Sequence, residues 1–138
     1  MGEHADIDKS IEGPAVHAFG LFARLMGEAK YEGQLFGEIS SVTQANRTGP
    51  LLEILLKRSE WHHRLINGSD YPLPGVVPLY SPRRFVEQGY LNENEAKVLS
   101  DIRRYNPLLF DFVLKRSLVK NGRRFAPAVF ESRRIFTN

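Results

Sequence analysis

The run Asn67-Gly68-Ser69-Asp70-Tyr71-Pro72 puts a carboxylate where a short apolar stretch gives way to turn-forming residues. An aspartate at the carboxyl end of a strand is well placed for chemistry, because sites in α/β folds gather at those ends. There it can serve as a hard oxygen ligand to a divalent metal, or take a proton from an activated water. Asp is also common in turns for purely conformational reasons. Asp70 is therefore the candidate catalytic residue and the candidate metal ligand. Ser41 and Arg47 are the candidate substrate contacts. Ser40, Ser41 and Thr43 close the preceding strand-like run, and Gln44, Asn46 and Arg47 follow it. A guanidinium there can hold a carboxylate through two parallel hydrogen bonds.

The histidines offer less. His62 and His63 precede Asp70 by seven or eight residues. In extended chain that is roughly 20–25 Å, against a metal–ligand distance of about 2 Å. They read as surface residues at the far end of the strand. His4, Asp6 and Asp8 form a short H-x-D-x-D run near the N-terminus, read as a solvated segment. His17 reads as a helix-start residue and Trp61 as packing. There is no Gly-rich phosphate loop, no G-x-S-x-G turn and no nucleophile–base set.

The elements that must position these residues follow from periodicity. Residues 1–16 read as a loop broken by Gly13-Pro14. Apolar residues at spacings of three and four predict a helix over 17–30. Residues 34–43 (QLFGEISSVT) read as a strand. Gly49-Pro50 opens a helix, LLEILLKR, with proline at its first turn. Residues 64–69 (RLINGS) read as a second strand, and residues 72–78 as a Pro/Gly-rich loop. Beyond it lie Ser81-Pro82, then Asn92 with Glu95 in a capping-box spacing, then Asn106-Pro107 opening NPLLFDFVLKRSL, with Asn121-Gly122 as its stop. The last helix is apolar nearly all round, which asks for neighbours on more than one side. Strand, helix, strand in this order implies parallel pairing. The fold class is therefore α/β and helix-rich, with about two parallel strands.

RLINGSDYPLPG resembles the last barrel strand of the amidohydrolase superfamily, specifically the amidohydrolase-related metal-dependent hydrolases. LFGEISSVTQ resembles the strand before it, GPLLEILLKRSEW the helix between, and YNPLLFDFVLKR the helix packed beneath the barrel. The resemblance covers most of residues 17–120. It implies the C-terminal part of a (β/α)8 TIM barrel: a loop over 1–16, the last β/α units over 17–72, helices over 73–122 and a basic tail over 123–138. It implies a divalent metal, commonly zinc, a small-molecule substrate, and Asp70 as metal ligand or general base toward the water. The sequence departs from the family by lacking identifiable strand-end histidines. A complete barrel takes about 250 residues, and this chain has 138. The expectation is a segment inactive alone, which self-associates or pairs with a chain that supplies the missing strands.

Charge is uneven. Residues 103–138 hold nine of the nineteen Lys and Arg but only two of the sixteen Asp and Glu. The second reading is therefore a non-enzymatic helical module whose basic C-terminus binds nucleic acid or a partner protein. No nucleic-acid recognition motif accompanies these charges, so nucleic acid is not the favoured partner. Under the first reading the basic tail packs on, or faces, a body outside this segment. Absence of cysteine excludes disulfides and thiolate metal sites. No apolar run spans a bilayer and no secretory leader is visible, so a cytoplasmic location is expected.

Overall fold

The computed structural model describes residues 3–5 and 14–137. The chain divides into two compact units, residues 1–36 and 37–138. In the first unit, β1 (Glu3–Ala5) pairs antiparallel with β2 (Ala15–His17). Part of the expected loop is thus a small ladder. His17 ends β2 and caps α1 (Ala18–Gly27), its Nδ1 accepting from the Phe19 amide at 3.2 Å. Asp6 and Asp8, and the side chain of His4, lie outside the described residues.

The second unit is helix-rich and holds a two-stranded parallel sheet. β3 (Gly37–Glu38) and β4 (Leu65–Ile66) pair with Gly37 opposite Leu65 and Glu38 opposite Ile66, extended by the Ile39 amide donating to the Ile66 carbonyl at 3.0 Å. Between them runs α2 (Pro50–Lys57), with proline in its first turn. The strand–helix–strand order and parallel pairing match the sequence reading. Both strands are far shorter than expected. β3 gives way after Ile39 to successive turns, Val42 N–H to Ile39 C=O and Gln44 N–H to Ser41 C=O. β4 is preceded by a 3-10 helix over Ser59–Arg64. Each strand lasts only as long as the other lies beside it, because unpaired backbone gains nothing from staying extended.

The helices that follow obey their local signals. α3 (Pro82–Glu87) starts at Ser81-Pro82. α4 (Glu93–Tyr105) carries a full capping box: Asn92 Oδ1 accepts from the Glu95 amide at 2.9 Å, and Glu95 Oε2 from the Asn92 amide at 2.8 Å. α5 (Pro107–Ser117) is capped by Asn106, whose Oδ1 accepts from the Leu109 amide at 2.9 Å. Its apolar residues do not all find partners. Phe110 and Leu114 are buried, whereas Leu108 and Leu109 are 48% and 46% exposed. Asn121-Gly122 is not the stop of α5. Both residues have positive φ, 51° and 73°, at the tip of a tight hairpin closed by Lys120 and Arg123. Those values suit a primed turn, and Gly tolerates them without penalty.

The basic tail folds back onto its own unit. Residues Pro127–Phe130 form a 3-10 turn and α6 spans Arg133–Phe136. Phe125 and Val129 are buried, and the Asn67 amide, one residue past β4, donates to the Val129 carbonyl at 2.9 Å. No described helix is long and apolar enough to cross a membrane.

His62 corrects a second expectation. It is buried, not at the surface, although His63 is exposed. Its ring bridges two segments: Nε2 lies 2.9 Å from the Leu55 carbonyl and Nδ1 accepts from the Ala126 amide at 3.0 Å. Geometry fixes the neutral tautomer with hydrogen on Nε2. The Leu55 carbonyl belongs to the last turn of α2, which has no intrahelical partner. Trp61 is buried as expected, with the Arg58 guanidinium 4.1 Å from its ring centre. His62→Leu keeps the bulk but leaves both backbone groups unpaired. It is expected to cost about 2 kcal/mol, read as a lower urea midpoint at unchanged slope. A change within about 0.5 kcal/mol, the range of an ordinary surface substitution, would contradict this bridging role.

Candidate functional site

The carboxyl ends of β3 and β4 lie side by side, and two loops leave from them. One, after β3, carries Ser40, Ser41, Thr43, Gln44 and Arg47. The other, after β4, carries Gly68, Ser69 and Asp70. Asp70 is exposed, with φ of 51°. That left-handed conformation is uncommon for a residue with a side chain, and Asp is one of the few types that tolerate it. The Asp70 carbonyl accepts from the Leu73 amide at 2.9 Å, and the Ser69 hydroxyl accepts from the Tyr71 amide at 3.3 Å. The loop after β4 therefore closes in a tight turn four residues beyond the strand, and Asp70 is exposed there. The Glu38 carboxylate of β3 lies over the Cα of Gly68, in space that a side chain at 68 would take.

Ser41 and Arg47, named separately from sequence, are joined here. Arg47 Nη1 donates to Ser41 Oγ at 2.5 Å. Arg47 remains exposed. Thr43 and Gln44 are instead buried. Tyr80 is fully buried beneath this mouth. Burial pushes its phenol above the ordinary tyrosine range, and the charges of Asp111 and Asp70 add to this while Gln44 and Arg47 oppose it.

Two further residues at the site escaped the sequence reading. Lys115 and Asp111 stand one turn apart on the inner face of α5, and both are completely buried. Lys115 Nζ donates to Asp111 Oδ2 at 2.7 Å, to the Gly68 carbonyl at 2.6 Å and to the Ser40 carbonyl at 3.0 Å. An ammonium has three hydrogens, and all three are used, one on each loop and one on the carboxylate. The signal was present in the sequence as Asp and Lys four apart inside a strongly apolar helix. It was masked because Lys115-Arg116 also reads as part of the basic C-terminal half.

Burial dominates the electrostatics of the pair. It raises the Asp111 carboxyl, against the pull of Lys115 and with a smaller push from Asp70, to about 6. Asp111 Oδ1 has no hydrogen-bond partner among the described residues. The Lys115 ammonium is lowered by burial, opposed by Asp111, Asp70 and Glu38. No group of three or more His, Asp or Glu among the described residues is arranged to hold a metal. Asp70 alone offers one donor of a set.

The basic half has an internal use. Besides Lys115, Arg103 donates to the Tyr80 carbonyl, and Lys120 to the Gln88 carbonyl at 2.5 Å. Arg123 donates to the Lys57 carbonyl at 3.1 Å, and Arg134 to the His63 carbonyl at 2.6 Å. These cations satisfy backbone carbonyls of earlier segments, several at helix or 3-10 ends where such groups lack partners. No family model, curated protein or solved structure matches the chain.

The raised Asp111 carboxyl has a definite sign in stability. Its folded value, about 6, lies above the 3.8 of a free aspartate. The folded state therefore binds the proton more tightly. The stabilising contribution is full below about pH 4 and is lost as pH rises through about 6. Carbon-13 detection of the Asp111 carboxyl is expected to show a midpoint near 6. Lys115→Met removes the lowering charge and shifts that midpoint upward. A midpoint near 4, the ordinary aspartate value, would contradict the assigned burial.

Proposed function

We propose that this chain is the C-terminal part of an amidohydrolase-type metal-dependent hydrolase barrel, carrying its last two β/α units and Asp70 as general base or metal ligand. The observation that carries the reading is the position of Asp70: an exposed carboxylate in a tight turn on the loop that leaves the carboxyl end of a parallel strand, four residues past its last paired residue, Ile66. That is where barrel enzymes place their chemistry. The parallel pairing of β3 with β4 across α2 supports it, and so does the resemblance of RLINGSDYPLPG to the family's last strand. In such an enzyme the divalent metal, zinc by resemblance, supplies an activated water. Asp70 would meet it as a ligand or would hold the water's proton at a carboxylate oxygen. The described residues do not complete a metal site by themselves. On this reading the remaining ligands come from other barrel strands, from this protein or a partner chain, and this segment alone is inactive. Arg47, braced by Ser41, would hold an anionic group of a small-molecule substrate at the same mouth. Hydrolysis is the family's usual outcome, with decarboxylation among its variants.

The alternative, a helical module whose basic C-terminus binds nucleic acid or a partner protein, is less well supported. Arg103, Lys115, Lys120, Arg123 and Arg134 all donate to backbone carbonyls. Cations used in this way are less available to phosphates. Binding that weakens steeply with salt and survives Asp70→Ala would favour it.

Zinc titration followed by amide NMR tests the proposal. Weak binding is expected, with shifts centred on Ser69–Tyr71 and lost in Asp70→Ala. Shifts elsewhere that survive the substitution would sink the assignment of Asp70. Tight binding abolished by the substitution would overturn the inference that other strands must complete the site.

A further inference from the structure

We propose that Lys115 is the positioning residue for Asp70: its ammonium, seated on Asp111, holds the two strand-end loops in the arrangement that presents the Asp70 carboxylate. The functional half of this statement rests on the reading of Asp70 given above; the clamp itself rests on geometry. Lys115 Nζ is bound to the Gly68 carbonyl, two residues before Asp70, and to the Ser40 carbonyl, one residue before Ser41. Both loops that carry the candidate site are therefore held by one buried charge. The need for a clamp is visible in Asp70 itself. A non-glycine residue in the left-handed region persists when its surroundings over-determine it. The local bonds of the turn join the Asp70 carbonyl to the Leu73 amide and the Ser69 hydroxyl to the Tyr71 amide, and neither reaches back to Gly68. They do not fix the turn to the neighbouring loop. Sheet pairing does not do so either, because it ends at Ile39 and Ile66. Beyond that point Lys115 bridges from the 68–70 segment to the 40–41 segment.

Asp111 has its own part in this. Burying an ammonium is costly, and a counter-charge beside it lowers that cost. Asp111 lies on the same helix one turn earlier and supplies that charge. The α5 caps and the packing of Phe110 and Leu114 then fix where the ammonium can reach.

The test replaces the pair by apolar residues of similar size, Asp111→Leu with Lys115→Met. Such replacements of a buried ion pair are often neutral for stability, so a folded variant is expected. Amide and carbon-13 shifts are then compared with the unmodified chain. The expected result is unchanged shifts in α4 and α5 with loss of the positive-φ signature of Asp70, a strong intraresidue amide–Hα NOE and its characteristic Cα and Cβ shifts. A filler role for Lys115 would leave that signature in place in the folded variant, and such a result overturns the proposal. A second measurement covers a variant that fails to fold. In the unmodified chain the Lys115 ammonium must show NOEs to Gly68 and Ser40 alongside the Asp70 signature. The signature without those NOEs overturns the clamp. The two claims fail separately. If the pair variant loses the Asp70 conformation but zinc leaves Asp70 of the unmodified chain untouched, the clamp stands and the hydrolase reading falls.

Discussion

A fully buried ammonium dictates much of this structure. Removing a lysine from water costs several kcal/mol unless its charge is paired and each hydrogen has an acceptor. Lys115 meets that demand with one carboxylate and two backbone carbonyls. The carboxylate comes from its own helix, so it adds no constraint on topology. The carbonyls come from two different loops, 75 and 47 residues away in sequence. Where α5 sits, and where the two parallel strands end, are thereby tied together. The pair need not be the cheapest solution in energy, since apolar side chains fill such space well. It is a specific one, because few other arrangements supply three acceptors at one point.

The same device recurs with weaker stakes across the C-terminal half. Arg103, Lys120, Arg123 and Arg134 each reach back to a carbonyl of an earlier segment. His62 does the equivalent with a neutral ring. A two-stranded sheet with short helices has many backbone groups outside regular ladders. Long basic side chains satisfy the acceptors among them while keeping their stems against apolar surface. Five of the nine Lys and Arg after residue 102 are thus used inside the chain.

Much of the fold was legible in the sequence wherever a local rule decides the outcome. Pro50, Asn92 with Glu95, and Asn106-Pro107 marked helix starts that the structure reproduces. The parallel pairing followed from strand–helix–strand order alone. What failed were features set by long-range contacts. The strands over 34–43 and 64–69 shrank to two residues each, because their length depends on the neighbour and not on β-propensity. His62 was misplaced at the surface because a distance argument along the strand says nothing about the 3-10 helix before it or about Ala126. Residues 3–5 carry too little pattern to show pairing, since three residues set no period.

The candidate site was half legible. Asp70, Ser41 and Arg47 were chosen by type and place, and the structure joins the last two directly. Lys115 and Asp111 are not legible in the same way, because their charges fall in a basic region whose pattern does not show which groups the helix buries. The central claim is that Lys115 is a buried ammonium with three fixed acceptors. Nitrogen-15 detection of the lysine side chains tests it most directly. The claim predicts one slowly exchanging ammonium resonance, assigned to Lys115, with NOEs to Gly68 and Ser40. A Lys115 ammonium exchanging as fast as those of exposed lysines, with no such NOEs, would contradict it.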